Sequence, residues 1–133
     1  MRTLPQPTTT KNPPEQFGGD VWLDMVVTPQ DGDQRTVVGR VRFAPGARTA
    51  WHFHARGQFL HVTAGTALVG TRDGTVVQAH AGETVYCPPD EEHWHGATPE
   101  AFMEHLAISE SADDPAQSTT WLEHVSDAEY TAR

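Results

Sequence analysis

Three side chains set at intervals of two and four residues carry the chemistry of this sequence: His52, His54 and Gln58, in the run Trp51-His-Phe-His-Ala-Arg-Gly-Gln58. On a β-strand, residues i and i+2 leave the same face, so the two imidazoles converge on one point. Neutral imidazole is the commonest metal ligand, and the amide oxygen of Gln58 offers a third donor. A fourth is expected from a second pair at the same spacing, His93 or His95. These side chains are therefore expected to bind a divalent metal ion.

Such a site needs strands to hold it, and the surrounding pattern supplies them. Short apolar or alternating runs recur at Val21 to Val27, Thr36 to Phe43, the His52/His54 segment, Gln58 to Thr63, Thr66 to Thr71 and Thr75 to Ala79. More follow at Thr84 to Cys87, His93 to Ala97, Ala101 to Ile108 and Thr120 to Val125. Gly and Pro turns separate them, and Asp73-Gly74 marks a tight hairpin. Even spacing of this kind predicts an all-β sandwich or barrel, and specifically a small β-barrel. Ser126-Asp-Ala-Glu129 has capping-box spacing and opens one short terminal helix. Residues 1–16, with Pro5, Pro7, Pro13 and Pro14, read as an extended arm ahead of a single domain at 17–133.

Parity along these strands selects the cavity lining. His95 shares a face with His93 and is expected to act there as a donor or proton carrier. Met103, His105, Ala107 and Ser109 share one face of the next strand, and Gly39, Val41 and Phe43 form a facing wall. His61 falls on the face opposite Gln58 and reads as surface; His80 and His124 read as solvated. Cys87 reads as a small core residue, the four tryptophans as core or interface, and Arg48 as solvated or ion-paired.

The charge of −9, from 18 acidic and 9 basic residues, argues against nucleic acid as a partner. A single cysteine, and no apolar run long enough to span a bilayer or serve as a signal peptide, point to a cytoplasmic protein without a membrane partner.

With both histidine clusters in view, the chain resembles the cupins. Gly46, His52, His54, Gln58 and Gly65 match the spacing of the first cupin motif, with glutamine where glutamate is usual. Gly82, Pro88 and His93 match the second, with Asp90 in place of glycine and Ala97 in place of asparagine. The resemblance implies a double-stranded β-helix, a jelly-roll barrel with the metal inside. The runs Gly46 to His52, Gly57-Gln58, Val62 to Gly65, His93 to Ala97, His105 to Ile108 and Trp121 to Val125 further resemble the bacterial cupin-type hydroxynitrile lyases. That branch implies manganese held by three histidines and a glutamine, here His52, His54, His93 and Gln58. It also places His105 beside the substrate as an acid/base together with His95. The family further implies a homodimer or homotetramer.

Three imidazoles and an amide leave a divalent ion with its full charge, so it polarises a bound oxygen strongly. Mn2+, Fe2+, Ni2+ and Zn2+ all accept this donor set. The expected function is reversible cyanohydrin cleavage on a small molecule. Two alternatives are a cupin oxygenase or isomerase acting on a small oxygenated metabolite, and a non-catalytic metal- and ligand-binding cupin. Ser109 stands where the characterised lyases carry glutamine, and Gly39 and Arg40 also differ from them, so substrate size is expected to differ.

Overall fold

The computed structural model describes residues 1–133, and turn residues cut them into short strands. In chain order these are β1 (Thr10–Lys11), β2 (Phe17–Gly18), β3 (Val21–Val27), β4 (Thr36–Phe43), β5 (Arg48–Thr49), β6 (His52–His54) and β7 (Gln58–Ala64). There follow β8 (Thr66–Thr71), β9 (Val76–His80), β10 (Thr84–Cys87), β11 (His93–Ala97), β12 (Met103–Glu110), β13 (Thr119–Trp121) and one helix, α1 (Asp127–Thr131). One antiparallel sheet runs β1-β3-β4-β12-β7-β10. In the other, β11 pairs with β8 on one side and with both β5 and β6 on the other. Beyond β5 and β6 lie β2 and β13, and β9 closes the far edge against β8. The two sheets curl face to face into the jelly-roll barrel.

Alternation decides what enters the core. On β4, Gly39, Val41 and Phe43 are buried while Arg40 and Arg42 point outward, where both approach the carboxylate of Asp24. Register sets Met103, His105, Ala107 and Ser109 of β12 opposite Phe43, Val41, Gly39 and Val37. A second apolar cluster of Trp51, Leu68, Trp94, Val125 and Tyr130 lies beneath α1. That helix has the expected capping box, and its Tyr130 hydroxyl donates to the Ala97 carbonyl at 2.7 Å. No helix is long and apolar enough to cross a membrane.

The ends of β12 and β13 differ from the sequence pattern, each for a reason of pairing. β12 occupies Met103–Glu110 instead of Ala101 to Ile108, because its partner β4 spans Thr36–Phe43 and fixes both ends. Gly65, in the left-handed region at φ 75°, packs its backbone against Phe102 so closely that a Cβ would lie 2.3 Å from the Phe102 carbonyl oxygen. β13 starts at Thr119 and stops at Trp121, where its partner strand bends at Ala50-Trp51. Residues of the proline-rich arm lie on the sheet of their own chain: Thr10 and Lys11 pair with Leu23 and Trp22.

Candidate metal centre

β6, β7, β11 and β12 bring six polar side chains into the barrel interior, and none is more than 7% exposed: His52, His54, Gln58, His93, His95 and His105. Cross-strand pairing explains their meeting, because His93 stands opposite His52 in register. Ring centroids of His52 and His93 are 4.4 Å apart, and those of His52 and His54 are 5.1 Å apart. One ring nitrogen from each of His52, His93 and His95 lies within 4.8 Å of the others. The tightest trio thus includes His95, which the sequence assigned to proton transfer. His54 lies beside the trio, 5.6 Å from His93 between centroids.

Hydrogen bonds at the rear of the rings fix their tautomers. His52 Nδ1–H donates to the Ala50 carbonyl and His93 Nδ1–H to the Glu91 carbonyl, each at 2.9 Å and each two residues back in the chain. A carbonyl only accepts, so both rings carry hydrogen on Nδ1 and present a lone pair on Nε2. His93 Nε2 then faces Gln58 Oε1 at 3.3 Å, and one acceptor facing another repels unless a cation lies between them. His54 Nδ1 meets the Thr119 hydroxyl at 3.0 Å, while its buried Nε2 has no partner. An unpartnered buried lone pair is costly, and coordination to a metal ion relieves that cost. The donor set fits a divalent cation.

His105 Nε2 and His95 Nδ1 are hydrogen-bonded at 2.9 Å, leaving His95 Nε2 and His105 Nδ1 without partners. Phe43 packs on both rings, with centroids 5.9 Å from His95 and 5.2 Å from His105. Desolvation keeps the whole group neutral. It is the largest cause lowering His52 and His95 well below the ordinary imidazole value, with neighbouring His93 and His105 respectively next. Burial brings His54 and His105 down to about 4, and it lowers His93 as well. Neutral imidazoles are the form that metals bind.

Of the expected pocket residues, Val41, Phe43 and Met103 are buried beside the histidines, and Gly39 sits behind Ala107 in register. Ser109 stands opposite Gln58, where a cleft of about 110 Å³ lined by Thr36, Arg56, Phe59, Ile108 and Ser109 opens to solvent. Cys87 is buried and its thiol is pushed up to about 12 by desolvation, which suits a core residue. His61 faces away and bonds Thr84, and Arg48 pairs with Asp127 at 2.7 Å. Sequence reasoning missed Thr119 and Trp121. The indole of Trp121 lies over His52 with centroids 4.6 Å apart. The signal was present in the alternation of β13, whose residues 119 and 121 lie opposite 54 and 52.

A fold with paired sheets around inward-facing histidines defines a cupin, and comparisons with known proteins agree. The cupin-domain family profile matches residues 39–109. The chain belongs to the cupin family. It is 46% identical over 121 residues to an (R)-mandelonitrile lyase from Granulicella tundricola, covering 90% of this chain and 89% of that protein. It also superposes on the crystal structure of a cupin-like protein from Thermotoga maritima with a TM-score of 0.84, at 35% identity, covering 98% and 95% of the two chains. A conserved-barrel cupin from Rhodopseudomonas palustris shares the fold, with a TM-score of 0.68 at 16% identity over 81% and 74% of the chains.

Proposed function

We propose that this cupin is a metal-dependent lyase that reversibly splits a small cyanohydrin into an aldehyde and hydrogen cyanide. The observation that carries the reading is the 46% identity to a mandelonitrile lyase across nearly the whole chain. The geometry supports it. His52, His54, Gln58 and His93 would hold a divalent ion, with Mn2+ the first candidate among Mn2+, Fe2+, Ni2+ and Zn2+. When bound, such an ion supplies a Lewis acid that polarises the substrate oxygen.

The chain's own residues supply proton transfer. In the tautomer whose Nδ1–H donates to His105 Nε2, His95 carries its lone pair on Nε2, the nitrogen without a protein partner. His95 Nε2 takes the hydroxyl proton as the carbon–carbon bond to cyanide breaks and its electron pair leaves on cyanide. The same proton then passes to cyanide, giving hydrogen cyanide and restoring neutral His95. His105 orients His95 and shares the charge that develops on it. Phe43, Val41 and Met103 keep the chamber dry, which strengthens these contacts.

The test is elemental analysis of the purified protein, followed by reconstitution with Mn2+ or Fe2+ and an assay of cyanide release from mandelonitrile. Release that disappears with the His52→Ala, His54→Ala double variant supports the reading. A metal-loaded protein that releases no cyanide rejects it.

A further inference from the structure

β13 lies outside the segment that carries the cupin motifs, yet it stands directly behind the first motif. Thr119 is the cross-strand partner of His54, and Trp121 that of His52. The strand is anchored there by backbone bonds from Ala55 N–H to the Ser118 carbonyl at 3.0 Å and from Leu122 N–H to the Trp51 carbonyl at 2.8 Å. His52 and His93 obtain their tautomers locally, each donating Nδ1–H to a carbonyl two residues back. His54 makes no bond of that kind. Its Nδ1 meets one group, the hydroxyl of Thr119, at 3.0 Å.

We infer that Thr119 is a metal-positioning residue, whose hydroxyl accepts the Nδ1–H of His54 and so holds the tautomer that leaves Nε2 free for a cation. The inference rests on the metal-dependent reading above. The alternative tautomer would place a hydrogen on the buried Nε2, which makes no hydrogen bond here and has the Gln58 amide beside it. With that nitrogen protonated the ring could not coordinate. A hydroxyl can play this part because, unlike a methyl, it has lone pairs to accept Nδ1–H and can turn its own hydrogen elsewhere, and β13 holds it in register as the cross-strand partner of His54. The C-terminal strand therefore completes a centre whose proposed ligands all come from the motif segment.

Outer partners of metal-bound histidines typically contribute about 10–100-fold in affinity. The experiment measures Mn2+ affinity by competition with a chelator, and the melting temperature of the metal-stripped protein, for wild type and for Thr119→Val, Thr119→Ser and His54→Ala. Thr119→Val keeps the volume and removes the acceptor, so Mn2+ is expected to bind about 10–100-fold more weakly while the stripped protein melts as wild type does. Thr119→Ser is expected to restore affinity. In a His54→Ala background, Thr119→Val is expected to cost nothing further. Three results would overturn the inference: wild-type affinity in Thr119→Val, weak binding in Thr119→Ser that matches the valine variant, or an undiminished effect of Thr119→Val when His54 is absent. Wild-type protein that takes up no metal at all overturns the metal-dependent reading instead, and this inference with it.

Discussion

Gln58 Oε1 faces His93 Nε2 across 3.3 Å inside a closed barrel, and the bond from His93 Nδ1–H to the Glu91 carbonyl makes both facing atoms acceptors. A neutral amide in this place, where cupins usually have a carboxylate, sets the electrostatics of the centre. Gln58→Glu adds one negative charge beside three imidazoles. We expect this variant to hold Mn2+ more tightly against a chelator and to release cyanide from mandelonitrile about tenfold more slowly, because the ion polarises oxygen less. Faster turnover in the glutamate variant would show that Lewis acidity does not limit the reaction.

His95 belongs to the tightest nitrogen trio and also to the hydrogen bond with His105, so its role as ligand or proton carrier is separable by experiment. For His105→Phe, metal content is expected to stay at the wild-type level while kcat falls. His95→Phe is expected to lower kcat by about 10²–10⁴-fold, the usual contribution of a positioned acid/base, with metal retained. If metal is lost from His95→Phe as completely as from His52→Ala, His95 is a ligand.

Five neutral histidines in one desolvated cluster make the metal-free protein acid-sensitive. Each has a folded value below that of the unfolded chain, about 6.5, and for His54 and His105 it is about 4. Between those values the unfolded chain binds more protons than the folded one, so stability falls as pH falls. The stability is fully present above about pH 6.5 and is lost progressively down to about pH 4. Melting temperatures of chelator-treated protein should therefore drop from pH 7 to pH 4.5, and more shallowly in a His105→Phe variant. A flat profile would mean that the cluster is hydrated and not buried as a neutral group.

Most of the barrel was legible because Gly or Pro ends nearly every strand and strands such as β4 alternate, although β8 and β11 are buried almost throughout. Parity grouped His52 with His54, and His93 with His95, since period-2 geometry needs no knowledge of partners, while the resemblance to the cupin-type lyases implied the set with Gln58 and placed His105 beside it. What sequence could not show depends on which strand lies next to which. The ends of β12 follow β4, and the contacts of Thr119 and Trp121 arise only once β13 pairs with β6. The carbonyls of Ala50 and Glu91 were equally invisible, because a backbone acceptor leaves no trace in residue type.

Asp90 explains a departure from the cupin pattern and supplies a stability test. It stands where the second motif usually has glycine, and it is the one non-glycine residue in the left-handed region, at φ 65°. Its backbone N–H donates to the His54 carbonyl at 2.9 Å, so the turn ties the loop before His93 to the strand that carries the first two histidines. Aspartate tolerates this conformation better than most side chains but still pays for its Cβ. Asp90→Gly is therefore expected to leave the turn in place and to stabilise by at most about 1 kcal/mol, because relief of strain is partly offset by the greater freedom of the unfolded chain. A β-branched residue is far worse placed, and Asp90→Val is expected to destabilise by about 1–3 kcal/mol and to loosen metal binding through His54 and His93. Denaturant midpoints and chelator competition on both variants check this; a valine variant as stable as wild type would show that the turn can relax without disturbing the centre.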